Sequence, residues 1–278
     1  MDKLLNKLKQ LKVNVKDLND MQLEEIKAGF ELGEDISLYA HPKFNIWQIK
    51  QIRDGIKDNL DVTKYADAKY DCNQMKQIKY CLKNNVDISL FKEPVFDWKQ
   101  MREIIYGLQY SKVDVSIYAL PDLSWLKMRQ VRLGLEDGIN IMKYHEQGFN
   151  SGQMSIIRQG LVQKVDVSKY ALHQYDNFQM DQIRAGLRKK IDISHYADPK
   201  YDFTQMMAIR QGIRSGIDWE SYADPKINGR VMWDKLCAMC KEKYEKLDEE
   251  KKRLREQQEK EESIASSIEF KSSSSQKQ

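Results

Sequence analysis

The stretch Asp202-Phe-Thr-Gln205-Met206-Met-Ala-Ile209-Arg210-Gln-Gly212-Ile213, running on through Asp218 to Tyr222-Ala-Asp-Pro225, decides the fold, because the chain says nearly the same thing eight times. A small residue marks the middle of each copy: Gly29, Gly55, Cys81, Gly107, Gly134, Gly160, Gly186 and Gly212. These anchors stand 26 residues apart, except for one step of 27 between Gly107 and Gly134. A fixed period of this size is the signature of stacked supersecondary units. A compact helical bundle is the rival, and a constant period is hard to reconcile with one.

Seven positions before the anchor stands Gln (22, 48, 74, 100, 153, 179, 205), replaced once by Lys127. Three positions earlier comes Asn19, Asn45, Asp71, Asp97, Ser124, Asn150, Asp176 or Asp202. That pair is a capping box, in which a short polar side chain takes an orphan helix N–H and the Gln reaches back to the cap. Apolar residues follow at helical spacing, as in Met206, Ile209 and Ile213. So narrow a stripe must be covered by neighbouring units. Glycine inside a helix costs about 1 kcal/mol relative to alanine, so its recurrence calls for a use. Close approach of an adjacent backbone is expected, with a bend of the helix as a further effect.

The second half of each unit reads Asp-Val-Ser-x-Tyr-Ala, as in Asp166 to Ala171. Asp or Asn opens all eight, and an aromatic holds the fifth place, from Tyr39 to Tyr222, with Phe91 in the third copy. A cap, one helical turn and a packing anchor fit this order. All five prolines (42, 94, 121, 199, 225) fall just after it and end the turn.

These patterns predict an all-α solenoid of about eight 26-residue helical repeats over residues 19–228. An atypical half repeat (1–18) precedes it. A capping and charged helix (229–262) follows, and then a Ser-rich tail (263–278) expected to be disordered. In the C-terminal helix Trp233, Cys240, Leu247 and Leu254 recur at seven-residue steps. A coiled coil wants a fuller seam, so a solvated helix is expected and self-association through it is the less favoured alternative. The balance of 46 basic against 42 acidic residues is far from that of a dedicated nucleic-acid binder. Four cysteines do not make a disulfide framework, and the N-terminus is too charged for a signal peptide. A cytoplasmic protein with no membrane association is expected.

No nucleophile, acid–base pair or phosphate loop departs from the repeat, so no enzyme, no cofactor and no metal site are expected. Cys237-Ala-Met-Cys240 lacks two further ligands at zinc-finger spacing and reads as packing on a helix. A cation follows the core Ile or Val in seven copies (Lys27, Arg53, Lys79, Arg132, Arg158, Arg184, Arg210). Pairing with the equally regular Asp is expected there, in preference to binding phosphates. Trp47, Trp98, Trp125, Phe178 and Phe203, just inside the caps, are expected to pack like hydrophobic staples.

Specificity belongs to the variable positions two after the Gln, one before the anchor and two after it, which share one helix face. Lys50, Lys76, Tyr80, Lys83, Arg102, Tyr106 and Arg129 make its densest run of long cations and tyrosine. They are the expected partner-binding residues, for a protein partner, with single-stranded nucleic acid as the alternative.

The composite Tyr-Ala-Asp-Pro-Lys-Tyr-Asp-x-x-Gln-Met-x-x-Ile-Arg-x-Gly-Ile, from Tyr196 to Ile213, resembles a helical repeat of low-GC Gram-positive gut bacteria and their mobile elements. The resemblance covers about residues 19–228, and copies three and five depart from it most, at Cys81 and Lys127. It implies an interaction module serving a plasmid or phage; the function expected for the chain is that of a non-enzymatic scaffold or inhibitor, an accessory or anti-defence protein of a mobile element. It carries over no functional residues.

Overall fold

The computed structural model describes residues 2–275, with side chains described as far as residue 262. It is all-helical, with no strand among the described residues. The chain divides into two compact units, one ending at Arg158 and one beginning at Gln159.

The first unit holds α1 (Asp2–Gln10), α2 (Asp20–Glu31), α3 (Ile46–Lys57), α4 (Cys72–Lys83), α5 (Trp98–Tyr106), α6 (Trp125–Glu136) and the single-turn α7 (Met142–Glu146), and ends inside α8 (Ser151–Val162). From α2 to α6 each helix packs on the next. The second unit continues from α8 through α9 (Asn177–Arg188) and α10 (Phe203–Ser215) to α11 (Gly229–Ser275), with α9 on α10 and α10 on α11.

Both halves of the capping box form at α2, α3, α4, α5, α9 and α10. The buried Gln has a third task. Its amide donates to the carbonyl just before the next cap: Gln22 to Phe44, Gln48 to Tyr70, Gln74 to Phe96, Gln179 to Tyr201, at 2.6 to 2.8 Å. One side chain thus starts its own helix and fastens the following repeat. The residues that bear those accepting carbonyls are themselves buried aromatics. They occupy the apolar place before the cap, so the first-turn aromatics do not act as staples. Trp47 stays 61 % exposed and Phe178 57 %. At α6 Ser124 makes no side-chain cap, and Lys127, with no acceptor for the cap N–H, reaches His145 instead (3.2 Å).

The anchor glycine makes room for a side chain, not for a neighbouring backbone. A Cβ on Gly55, Gly107 or Gly212 would lie 1.9 Å from the hydroxyl of its own repeat's Tyr65, Tyr118 or Tyr222. Each of these hydroxyls donates to the carbonyl four residues before the anchor, at 3.1 Å. Where the aromatic is Phe91, which has no hydroxyl, the anchor is Cys81, buried and with its thiol pushed up to about 12 by desolvation. In the half repeat the pair becomes Leu8 and Leu18, both buried. Among the anchor glycines only Gly134 meets backbone, the Ile139 carbonyl.

The regular Asp side chains cap 3-10 turns through the N–H two residues on, as Asp35, Asp61, Asp114 and Asp166 do. Each long helix ends on a left-handed residue four beyond the anchor, among them Gly33, Asn59, Asn85, Lys164, Lys190 and Gly216. The next N–H bonds back to the anchor carbonyl, which closes the helix end.

The extra residue of the 27-residue step lies here. Gly107–Ser111 form a π turn, the left-handed residue slips to Lys112, and Val113 bonds back to Gly107 (3.2 Å). At the C-terminus α11 carries the backbone from Gly229 to Ser275. Residues 276–278 lie outside the described part.

Candidate functional site

The cationic ladder is largely neutralised, though not by the regular Asp residues, whose carboxylates serve the caps. Arg53 is buried against Glu34 (2.7 Å) and also meets Glu25. Lys79 pairs with Asp54 (3.3 Å), Arg132 with Glu103 (3.0 Å) and Arg158 with Asp137 (2.7 Å). Arg184 takes Asp181, and Lys27 reaches Glu31 at 3.8 Å. Arg210 instead contacts the Gln182 side-chain oxygen (3.0 Å), and burial lowers its pKa.

The face between α4 and α5 is different. A cleft of about 320 Å³ opens there, lined by Gln77, Tyr80, Arg102, Ile105, Tyr106 and Tyr110. Three expected residues, Tyr80, Arg102 and Tyr106, therefore converge on it. Lys76 and Arg129 are exposed outside the lining. Lys83 is held by Asp58 (3.1 Å), and Lys50 lies over Trp47 at 5.3 Å. Tyr110 was not expected. It belongs to the π turn, and the one sequence signal for it was the irregular step after Gly107.

Helical spacing explains the convergence. Trp98, Arg102 and Tyr106 follow at four-residue steps along one face of α5, and the π turn carries the series on to Tyr110. The Arg102 guanidinium lies over Trp98 (5.5 Å), and Lys99 sits 5.6 Å from Trp98 and 5.2 Å from Trp125. The rings of Tyr106 and Tyr110 are 5.4 Å apart, tilted at 41°. The Tyr80 hydroxyl meets that of Tyr110 at 2.6 Å and donates to Gln109 (2.8 Å). This pairing pushes the Tyr110 phenol up from its usual range. Arg132 backs Tyr106 at 5.4 Å, so the ring is supported from behind.

Tyr106 and Tyr110 remain 43 % and 60 % exposed, as groups built for contact are. Among the described residues no cluster of His, Cys, Asp and Glu could hold a metal ion. Cys237 is exposed, contrary to a packing role, and all four cysteines are free thiols. No described helix is long and apolar enough to cross a membrane. Comparison of the chain with protein-family models, curated proteins and solved structures gives no match.

Proposed function

We propose that this protein is a non-enzymatic interaction module, a scaffold or an inhibitor by occlusion, whose eight repeats form a solenoid that presents the α4–α6 face to a protein partner. The observation that carries this reading is the cleft of Tyr80, Arg102, Tyr106 and Tyr110, because it lies where the repeat itself is broken. Core, cap and anchor positions serve stacking and recur with few exceptions from copy to copy. A residue inserted in one copy alone, which brings an exposed tyrosine onto a cation-rich face, serves something other than stacking. The mobile-element setting implied by the resemblance makes a host protein the class of partner to test.

The test is affinity capture from a host lysate, with and without nuclease. A nuclease-resistant partner should be retained by the natural chain and lost when Tyr106→Ala and Tyr110→Ala are combined. It should still be retained by a chain carrying Arg188→Glu and Arg214→Glu in the second unit. Equal loss with both pairs means a diffuse cationic surface, and loss on nuclease treatment means a nucleic-acid binder.

A further inference from the structure

We propose that the α4–α6 cleft receives an extended acidic segment of a partner protein, with one aromatic side chain of that segment seated among Tyr80, Tyr106 and Tyr110. This deepens the interaction-module reading and rests on it. Two observations combine. The lining offers an apolar floor in the buried Ile105, exposed tyrosine rings on the walls and the Arg102 guanidinium at the side. A ring entering there meets Tyr106 and Tyr110 edge to face and lies within reach of a cation.

Arg102 belongs to the lining, Lys76 and Lys99 stand on the α4 and α5 helices that form it, and Arg129 holds the matching place on α6. None of the four has a carboxylate within ion-pair distance among the described residues. The ladder cations of the same helices, Lys79 and Arg132, are paired. An uncompensated cluster beside an aromatic cleft is complementary to a short run of carboxylates flanking a ring.

The same contrast weighs against a nucleic-acid strand. A phosphate backbone needs cations that continue along its path. Of the cations on α3 to α8, Arg53, Lys79, Lys83, Arg132 and Arg158 are held by Glu34, Asp54, Asp58, Glu103 and Asp137, which leaves a single row for a strand to follow.

The experiment is fluorescence anisotropy at low salt, on the full chain, with a labelled peptide Gly-Glu-Asp-Glu-Tyr-Glu-Asp-Gly. Two companion peptides replace its Tyr by Ala or its acids by Gln, and a fifteen-residue oligothymidylate serves as the nucleic-acid probe. The acidic tyrosine peptide should bind at least tenfold more tightly than either companion. Its affinity should fall at least tenfold with Arg102→Gln and with Tyr106→Ala, and stay unchanged with Arg188→Glu in the second unit. Thermal melts confirm that each variant is folded, and Tyr110→Ala repeats the test from the π turn should Tyr106→Ala lose structure. Tighter binding of the oligothymidylate with the same loss at Arg102 overturns the proposal in favour of nucleic acid. So does an equal loss with Arg188→Glu, which would make the charge diffuse. Absence of peptide binding, while lysate capture still depends on Tyr106 and Tyr110, overturns the acidic segment and leaves the interaction module standing.

Discussion

A methyl group on Gly212 would sit 1.9 Å from the Tyr222 hydroxyl oxygen, so the glycine and the tyrosine are in effect one residue shared between two positions. Gly212→Ala should therefore destabilise the protein by about 1–3 kcal/mol, although alanine is the better helix former by about 1 kcal/mol. Adding Tyr222→Phe should recover most of that loss, since only 3.1 Å and 3.3 Å contacts then remain at the new methyl. Urea denaturation of the singles and the double checks it; additive losses would break the pairing argument. Cys81 with Phe91 is the same exchange already present in the chain. A second residue-scale consequence concerns acid. Hydrogen bonds from Arg53 hold the Glu34 carboxyl below its usual 4.5. A depressed carboxylate contributes stability that is present above its unfolded value and is lost as pH falls through the folded one. The natural chain should thus lose stability more steeply than Glu34→Gln as pH drops below about 4.5. At neutral pH that variant should already be less stable by about 3 kcal/mol, because it leaves Arg53 only part of its compensation. Thermal melts from pH 7 to pH 3 give both quantities.

Among the elements, the 26-residue helix-and-turn unit was legible because its cap, its Gln and its anchor are local and repeated. Helix existence and position follow from them, and α2 to α6 begin at their capping residues as expected. The partners of the charged ladder were not legible. Sequence shows that carboxylates recur, but a capping task and a pairing task use the same residue type, and only packing assigns them. The left-handed helix ends were half legible, since Gly or Asn marks Gly33, Asn59, Asn85 and Gly216, whereas Lys112, Lys164 and Lys190 carry no such mark. The site divides the same way. Tyr80, Arg102 and Tyr106 came from face arithmetic on regular helices, and Tyr110 was missed because that arithmetic fails inside a π turn. This makes the insertion itself testable. Deleting Ser111 restores the 26-residue step, so Gly107 onward should return to ordinary helix with the left-handed place four residues beyond the anchor. Helical content by circular dichroism should be kept, while partner capture falls as far as it does with Tyr110→Ala. Full binding by the shortened chain would remove the π turn from the site.

At the scale of the molecule, the same interactions that order a repeat also fasten it to the next, as the Gln48 amide does at the Tyr70 carbonyl, and nothing in that scheme limits the number of copies. Stability is then expected to be a sum over neighbours, with the ends as special cases. At the C-terminal end Met232 and Leu236 of α11 are buried, and Lys243 donates to the Ser215 and Gly216 carbonyls at the end of α10 (2.8 and 3.0 Å). A cation there satisfies orphan carbonyls and complements the helix dipole. Beyond it Tyr244 and Leu254 are mostly exposed, and Leu247 is covered only in part. A chain stopped after Lys246 should therefore melt within about 0.5 kcal/mol of the full protein, the range of surface changes. Lys243→Ala should cost it more, about 1 kcal/mol, as the loss of a helix-end cation does. The shortened chain also removes the long helix from a test of the proposed solenoid. A compact ball of its length has a radius of gyration of about 18 Å. Stacking that adds each repeat to the end of the last gives a clearly larger value, measurable by small-angle X-ray scattering. A value at the compact limit would mean that the repeats close on themselves, and the α4–α6 face would then have to be reconsidered as part of a core.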